Sequence, residues 1–150
     1  SGVDLSIRHQ CGEKLLAEAE QSYREQAIQA RIEPFISDMA EAYAWADVVI
    51  GRAGALTVAE ICAAGVASLL IPLPTAVDDH QAKNADFLKQ HGAGFWFRQN
   101  DDLAGQLGNT LAQLAHDPAL RMAMAKAARS VAFPRAAEDV ADLIQQEMAA

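Results

Sequence analysis

Short apolar runs alternate with longer amphipathic stretches along the first two thirds of the chain. The runs predict strands at residues 3–8, just before Pro34, and at residues 47–50, 67–74 and 92–98. The stretches between them predict helices at residues 11–27, 39–46, about 55–65 and 78–92. Strands that alternate with helices of this length indicate βαβ units, so the pattern predicts an α/β fold with a parallel sheet and right-handed crossovers.

The pattern changes after Arg98, where only helical periodicity remains. Helices are predicted at residues 101–116, 118–129 and 135–148, and Pro118 suits a first helical turn. With 150 residues, 51% of them apolar, the chain can bury one core, so we expect a single domain. It starts without methionine within a few residues of a strand, and we expect it to be a fragment of a larger protein.

A glycine turn is the first candidate for chemistry. Gly51-Arg52-Ala53-Gly54 follows the strand at residues 47–50 and leads into a helix, which is where open parallel sheets bind ligands. Glycines there permit positive φ and a close approach of ligand to main chain. The helix start offers unpaired N–H groups that suit a phosphate. The turn therefore predicts an anion site that needs no basic patch.

Simpler interpretations compete with ligand binding in this region. Thr57 and Glu60 have the spacing of a capping box, in which case the glycines only turn the chain. Asp78 and Asp79 resemble a metal-binding acidic pair, but they precede a helix, which favours capping. The large aromatic residues are expected in the core or the sheet, namely Trp45, Phe95 and Trp96.

The excess of acidic over basic residues argues against one class of binding partner. The chain has 12 Lys and Arg against 20 Asp and Glu, a formal net charge of −8. General binding of polyanions depends on Lys and Arg that neutralise phosphates, so we expect no nucleic-acid partner. A small phosphorylated ligand remains compatible with this charge.

Five stretches together make the chain resemble the C-terminal half of the MurG family, the bacterial UDP-N-acetylglucosamine:lipid I N-acetylglucosaminyltransferases of peptidoglycan synthesis. They are PFISDM, AWADVVIGRAGALTVAEICAAG, LLIPLP, DDHQAKNA and FPRAAEDVADLI. The resemblance implies a glycosyltransferase-B architecture, in which two Rossmann-like domains face each other across a cleft and the C-terminal one, residues 1–150 here, binds the donor. It also implies that the first βα unit, with the family's GGS segment, lies outside this chain. The helices from about residue 101 to 150 would pack on the sheet and toward the N-terminal domain.

Carried over residue by residue, the resemblance implies a site for the donor. The backbone amide and carbonyl of Ile36 would recognise the uracil edge, with Met39 nearby. Glu60 would accept hydrogen bonds from the ribose hydroxyls, because a carboxylate offers only acceptors to two vicinal donors. The diphosphate and sugar would face the turn and helix start formed by Arg52, Gly54, Ala55, Leu56 and Thr57. The sugar hydroxyls would be contacted from the next helix by Gln81, with His80 and Asn84 beside it.

Two of these residues have simpler interpretations when the resemblance is set aside. Gln81 lies three residues after Asp78 and could be the far half of a capping arrangement. Asn84 could cap the helix or face solvent. The intact protein could likewise be a UDP-N-acetylglucosamine 2-epimerase, another glycosyltransferase of the same architecture, or a non-enzymatic nucleotide-sugar-binding module.

The implied reaction is inverting transfer of N-acetylglucosamine from UDP-N-acetylglucosamine to the C4 hydroxyl of lipid I, which gives lipid II. We expect no catalytic residue here, because the general base, the lipid I site and the membrane-facing surface would lie on the N-terminal domain. The isolated chain should therefore be inactive. The intact enzyme is expected as a peripheral protein on the cytoplasmic side of the bacterial inner membrane. No tightly bound cofactor or metal is expected, although a divalent cation could accompany the diphosphate.

Overall fold

The computed structural model describes residues 4–74 and 79–148. The chain divides into two compact units, Ser1–Trp45 and Ala46–Ala150, which we call the first and the second unit. Strands and helices alternate along the chain up to Trp96, and only helices follow, as the hydrophobic pattern predicts.

The first unit contains two short parallel strands and two helices. In chain order its elements are β1 (Arg8–Gln10), a 3₁₀ turn (Glu13–Leu15), α1 (Leu16–Glu25), β2 (Arg31–Glu33) and α2 (Met39–Trp45). Strand β1 pairs with β2 in parallel, with Arg8 opposite Arg31. The strand predicted at residues 3–8 therefore lies too early. Alternation marks residues that can form a strand, but pairing begins only where β2 supplies a partner, at the hydrogen bond from Arg31 N to Ile7 O (2.8 Å).

The second unit contains a three-stranded parallel sheet in the order β3-β4-β5. Its alternating elements are β3 (Val48–Gly51), α3 (Ala55–Ala64), β4 (Ala67–Leu70), α4 (His80–Gln90) and β5 (Gly94–Trp96). Val48 pairs with Ala67, and Leu69 pairs with Phe95. All four residues of β4 are buried, as expected of a central parallel strand that is covered on both faces. The ends of β3, β4 and β5 thus form one carboxyl edge, which leads into α3 and α4.

Three helices complete the second unit, namely α5 (Leu103–His116), α6 (Pro118–Ser130) and α7 (Ala136–Met148). Proline opens α6 as predicted, and Asp117 caps that helix by accepting a hydrogen bond from Leu120 N (2.9 Å). The core joins the sheet to two of these helices through Ala67, Leu69, Leu114 and Met124. Phe95 packs against this core.

Helix α3 ends at a glycine, as the sequence predicts. Gly65 has the left-handed conformation (φ 69°), and its N–H donates to Ile61 O (2.9 Å). A Cβ at this position would lie 3.2 Å from the Cβ of Arg129 on α6. The guanidinium of Arg129 donates to Ala63 O in the last turn of α3. Glycine therefore lets α6 pack closely on the end of α3.

The aromatic residues follow the sequence prediction only in part. Trp96 lies in β5, half-buried, and its indole N–H donates to Asp86 Oδ1 (3.4 Å). The prediction that Trp45 is a core or sheet residue is wrong, because it ends α2 with 49% of its surface exposed. An amphipathic helix buries one face only, and the position at its end is not held to that face.

Candidate functional site

The turn between β3 and α3 follows the last strand residue directly. Gly51 ends β3, and its carbonyl still accepts a hydrogen bond from Ile71 N (2.9 Å) beyond the end of β4. Gly54 occupies the N-cap of α3 with φ −63° and ψ 151°. The prediction that these glycines serve positive φ is therefore wrong, since Gly54 is extended and Gly51 is not among the glycines with positive φ. Their contribution is the missing side chain, which leaves the helix entrance uncovered.

Helix α3 begins without a side-chain cap among the described residues. Its first intrahelical hydrogen bond runs from Val58 N to Gly54 O (3.0 Å), so the N–H groups of Ala55, Leu56 and Thr57 have no acceptor within the helix. The capping-box interpretation is wrong, because Thr57 is the third residue of α3 and not its N-cap. Thr57 and Glu60 instead lie one turn apart on one helix face. The helix start therefore offers donors and a partial positive charge.

The turn is held from α4 by two amide side chains. Ala53 is fully buried, its N–H donates to Gln81 Oε1 (3.3 Å), and its carbonyl accepts from Asn84 Nδ2 (3.0 Å). Gln81 Oε1 also accepts from Leu73 N (2.9 Å), beyond the end of β4. The simpler interpretation of Asn84 is therefore wrong, because its side chain bonds the backbone of another segment instead of capping α4 or facing solvent. The capping arrangement predicted for Gln81 depends on Asp78, which lies outside the described residues.

Arg52 ties the same turn to the neighbouring strand ends. Its Nη1 donates to Ile71 O (3.2 Å) after β4 and to Gln99 Oε1 (3.0 Å) after β5. Both acceptors are neutral oxygens, so neither of these two contacts places a negative charge against the guanidinium. Arg52 consequently positions the turn and contributes positive charge at its edge.

The start of α4 differs from the prediction at Asp79. This residue occupies the N-cap with a left-handed backbone (φ 58°), and its side chain makes no cap hydrogen bond. Its carboxylate instead lies 4.0 Å from Arg98 Nη2. The left-handed backbone replaces the extended conformation from which an N-cap side chain ordinarily reaches the helix N–H groups. His80, the first residue of α4, is exposed.

In the first unit, the amide predicted to recognise the base already has a partner. Ile36 is buried, with 6% of its surface exposed, and its N–H donates to Gln10 Oε1 (2.9 Å) at the end of β1. Met39 begins α2 and is half-buried. Asp38 caps this helix by accepting a hydrogen bond from Glu41 N (2.8 Å). Sequence reasoning missed Gln10, since a polar residue at a strand end gives no sign of its partner.

An ion-pair cluster, also missed from the sequence, joins β1, β2 and α2 of the first unit. Arg8 Nε lies 2.6 Å from Glu33 Oε2, and its Nη1 donates to Glu41 of α2. Only 9% of the Arg8 side chain is exposed. The hydrogen bond from Arg8 lowers the pKa of Glu33 below its ordinary value, against the opposing effect of burial. Arg31 adds a second ion pair to Glu33, with Nε 3.0 Å from Oε2. The cluster fixes the residues on either side of the segment that contains Ile36.

The part of the chain that the structure describes contains no group of three or more His, Cys, Asp or Glu residues with the geometry to hold a metal ion. Within the same residues, no helix has the length and apolar character needed to span a bilayer.

Comparison with known proteins shows that nearly the whole chain matches one family of domains. Residues 1–145 match the family described as glycosyltransferase family 28 C-terminal domain. A curated relative from Xanthomonas campestris pv. campestris is 57% identical over 143 residues, 95% of this chain and 34% of its own length. A relative from Xylella fastidiosa is 54% identical and covers 98% of this chain and 40% of its own length. Both carry the name UDP-N-acetylglucosamine--N-acetylmuramyl-(pentapeptide) pyrophosphoryl-undecaprenol N-acetylglucosamine transferase.

Solved structures, including the following two, are also similar to the chain. The crystal structure of MurG from Acinetobacter baumannii matches 97% of this chain and 42% of its own, with a TM-score of 0.87 and 42% identity. The spinosyn forosaminyltransferase SpnP matches 99% of this chain and 45% of its own, with a TM-score of 0.61 and 18% identity, which shows a shared fold alone. The chain spans 34% and 40% of the lengths of the two curated relatives described above.

Proposed function

Because this chain belongs to the glycosyltransferase family 28 C-terminal domains, we propose that it is the donor-binding half of an enzyme that uses UDP-N-acetylglucosamine. The reaction would be inverting transfer of N-acetylglucosamine to the C4 hydroxyl of lipid I, which gives lipid II. The observation that carries this proposal is the uncapped start of α3, which directly follows a strand at the carboxyl edge of a parallel sheet. The named transferases that are 54–57% identical to the chain support this choice of donor and acceptor.

The start of α3 has the properties that a departing diphosphate requires. As the bond to the sugar breaks, negative charge grows on the diphosphate, and fixed N–H donors stabilise that charge without reorganising. Ala55, Leu56 and Thr57 supply such donors. Arg52 adds positive charge at the same turn. Stabilisation of the leaving group is therefore the chemistry that we assign to this domain.

The remaining contacts with the donor follow from the chemistry of each side chain. Glu60, one turn into α3, would accept from the two ribose hydroxyls. Gln81 uses its Oε1 within the protein, which leaves its amide NH₂ as the group for a sugar oxygen, with His80 and Asn84 on the same helix. Ile36 and Met39 would contact the uracil.

An inverting displacement needs no protein nucleophile but does need a general base for the acceptor hydroxyl. We place that base, the lipid I site and the membrane contact in the part of the protein outside this chain. The whole enzyme would then work as a peripheral protein on the cytoplasmic face of the bacterial inner membrane. A divalent cation would act only as a counter-ion to the diphosphate.

The test uses the full-length protein that contains this chain. Calorimetric titration with UDP, UDP-N-acetylglucosamine and UDP-glucose is followed by a transfer assay with a lipid I analogue. We expect UDP and UDP-N-acetylglucosamine to bind, UDP-glucose to bind more weakly, and the sugar to be transferred. Binding without transfer would indicate a nucleotide-sugar-binding module, and absence of UDP binding would overturn the proposal.

A further inference from the structure

The turn before α3 is buried at one residue and is held by side chains from a different helix. Ala53 has no exposed surface, so both of its backbone polar groups need partners within the protein. Gln81 accepts from its N–H and Asn84 donates to its carbonyl. These two residues stand three apart on α4 and therefore share one helix face. One face of α4 thus satisfies both groups of a single residue in the turn.

The two amides use opposite halves of their chemistry. Gln81 contributes only its oxygen, which accepts from Ala53 N (3.3 Å) and Leu73 N (2.9 Å). Asn84 contributes its NH₂, which donates to Ala53 O (3.0 Å). A carboxylate could replace the first group, because it also accepts. It could not replace the second, because it has no hydrogen to donate and would face a carbonyl oxygen.

We propose that Gln81 and Asn84 are positioning residues that hold the entrance of α3 in the geometry required by the donor diphosphate. The proposal rests on the proposed function. It gives both residues the role of holding the turn, in addition to any contact with the sugar. Ala53 lies two residues before Ala55, so a shift of Ala53 displaces the N–H groups at the start of α3. Sub-ångström placement of such donors determines how strongly they stabilise developing charge.

The experiment compares Gln81→Glu with Asn84→Asp in the full-length protein. Each substitution adds one negative charge to the first two turns of α4, so a simple charge effect predicts similar losses of UDP affinity. We expect Gln81→Glu to keep UDP affinity within about twofold, because its carboxylate still accepts from both N–H groups. Asn84→Asp should weaken UDP binding by about tenfold, because the donor to Ala53 O is lost. In the transfer assay, Gln81→Glu should raise KM for the full donor. Asn84→Asp should both raise KM and lower kcat.

Hydrogen exchange of the unliganded protein supplies a second, independent measurement. The Ala53 N–H should exchange faster in Gln81→Leu, which removes its acceptor, and stay protected in Gln81→Glu. Melting temperatures identify any variant that fails to fold, and Asn84→Ala then replaces Asn84→Asp, with the same expected direction. Equal losses of UDP affinity in the two acidic variants would overturn the proposal. Absence of UDP binding by the wild-type protein would instead refute the proposed function, and exchange at Ala53 would still test the hydrogen bonds.

Discussion

The two backbone segments predicted to contact the donor use their N–H groups in different ways. At the start of α3, the N–H groups of Ala55, Leu56 and Thr57 have no acceptor within the helix. In the first unit, the N–H of Ile36 already donates to Gln10 Oε1 at 2.9 Å. A diphosphate oxygen could accept hydrogen bonds from the first set directly. In the proposed site, a uracil carbonyl would have to compete with Gln10 for the N–H of Ile36.

The difference follows from how each segment is built. A helix leaves its first N–H groups unpaired as a consequence of its i to i−4 geometry, and solvent can reach them when no side chain caps the end. Ile36 belongs to an irregular segment and is buried, so its N–H needs a partner within the protein. The proposed diphosphate site therefore has its N–H donors available in the folded chain. The proposed base contact at Ile36 would require the hydrogen bond to Gln10 to be exchanged.

The largest expected effect comes from removing one donor of the helix start with Ala55→Pro. Proline is well suited to the first position of a helix, and Gly54 already has the extended backbone that a residue before proline needs (φ −63°, ψ 151°). The helix should therefore persist without the N–H of residue 55. We expect UDP affinity to fall by about 1.5–3 kcal/mol, the range for a hydrogen bond to a charged group. Calorimetric titration of the full-length protein measures this.

The matched control for that variant is Pro118→Ala, which makes the reverse change at the first position of α6. It should leave UDP affinity unchanged and reduce stability by about 0.4–1 kcal/mol, since the unfolded chain gains freedom. An Ala55→Pro protein that folds and binds UDP as the wild type does would show that the helix start is not the diphosphate site.

Glu60→Ala tests the same helix one turn further on. We expect UDP affinity to fall by about 1–3 kcal/mol, because two ribose hydroxyls lose a charged acceptor. 2′,3′-Dideoxy-UDP, which lacks those hydroxyls, should bind the wild type and Glu60→Ala equally well. If the substitution weakens both nucleotides to the same extent, Glu60 supports the structure of α3 and does not contact the ribose.

Gln10→Ala tests the predicted contact between Ile36 and the base, and it should increase the affinity for UDP. Without the competing oxygen, the N–H of Ile36 is available to the base, and UDP affinity should rise by about 0.5–1.5 kcal/mol. Gln10→Glu keeps an acceptor and adds charge, so it should weaken UDP binding. Inorganic pyrophosphate has no base and should bind all three proteins alike. Weaker UDP binding by Gln10→Ala would mean that Gln10 supports the segment around Ile36 instead of competing with the base.

The helix start could be predicted from the sequence because its determinants are local. The apolar run of β3, the glycine at residue 54 and the periodicity of α3 all lie within about twenty residues. The parallel α/β arrangement was predictable for the same reason, since strands and helices of suitable length alternate along the chain.

The partners of the backbone could not be predicted in the same way. Gln10 and Ile36 are 26 residues apart, and Asn84 and Ala53 are 31 apart, so these contacts exist only once the strands and helices have packed. Amide side chains are common on exposed helix faces. Nothing in the neighbouring sequence distinguishes an amide that bonds a distant backbone segment from one that only faces solvent. The two amides at i and i+3 of α4 are the one local signal that could have suggested a shared partner.

The smallest effect concerns the pH dependence of the fold that surrounds Ile36. The hydrogen bond from Arg8 lowers the pKa of Glu33 in the folded protein below its ordinary value. A carboxyl with a depressed folded pKa stabilises the fold above its unfolded pKa, and this contribution disappears as the pH falls through the folded value. Acid should therefore destabilise the first unit from the ordinary glutamate range, about pH 4.3, downward.

Glu33→Gln should reduce the loss of stability of the first unit at acidic pH, because the amide does not titrate. The measurement is the denaturation midpoint between pH 7 and pH 3, followed by a probe in the first unit. Glu138→Gln is the matched control, since Glu138 pairs with Arg135 across a largely exposed contact with side-chain exposures of 68% and 67%. Exposed ion pairs contribute little to stability, so this variant should keep the wild-type dependence of the denaturation midpoint on pH. If Glu33→Gln also keeps it, the ion-pair cluster does not stabilise the segment that holds Ile36, and the rigidity of that segment depends on the hydrogen bond from Ile36 to Gln10.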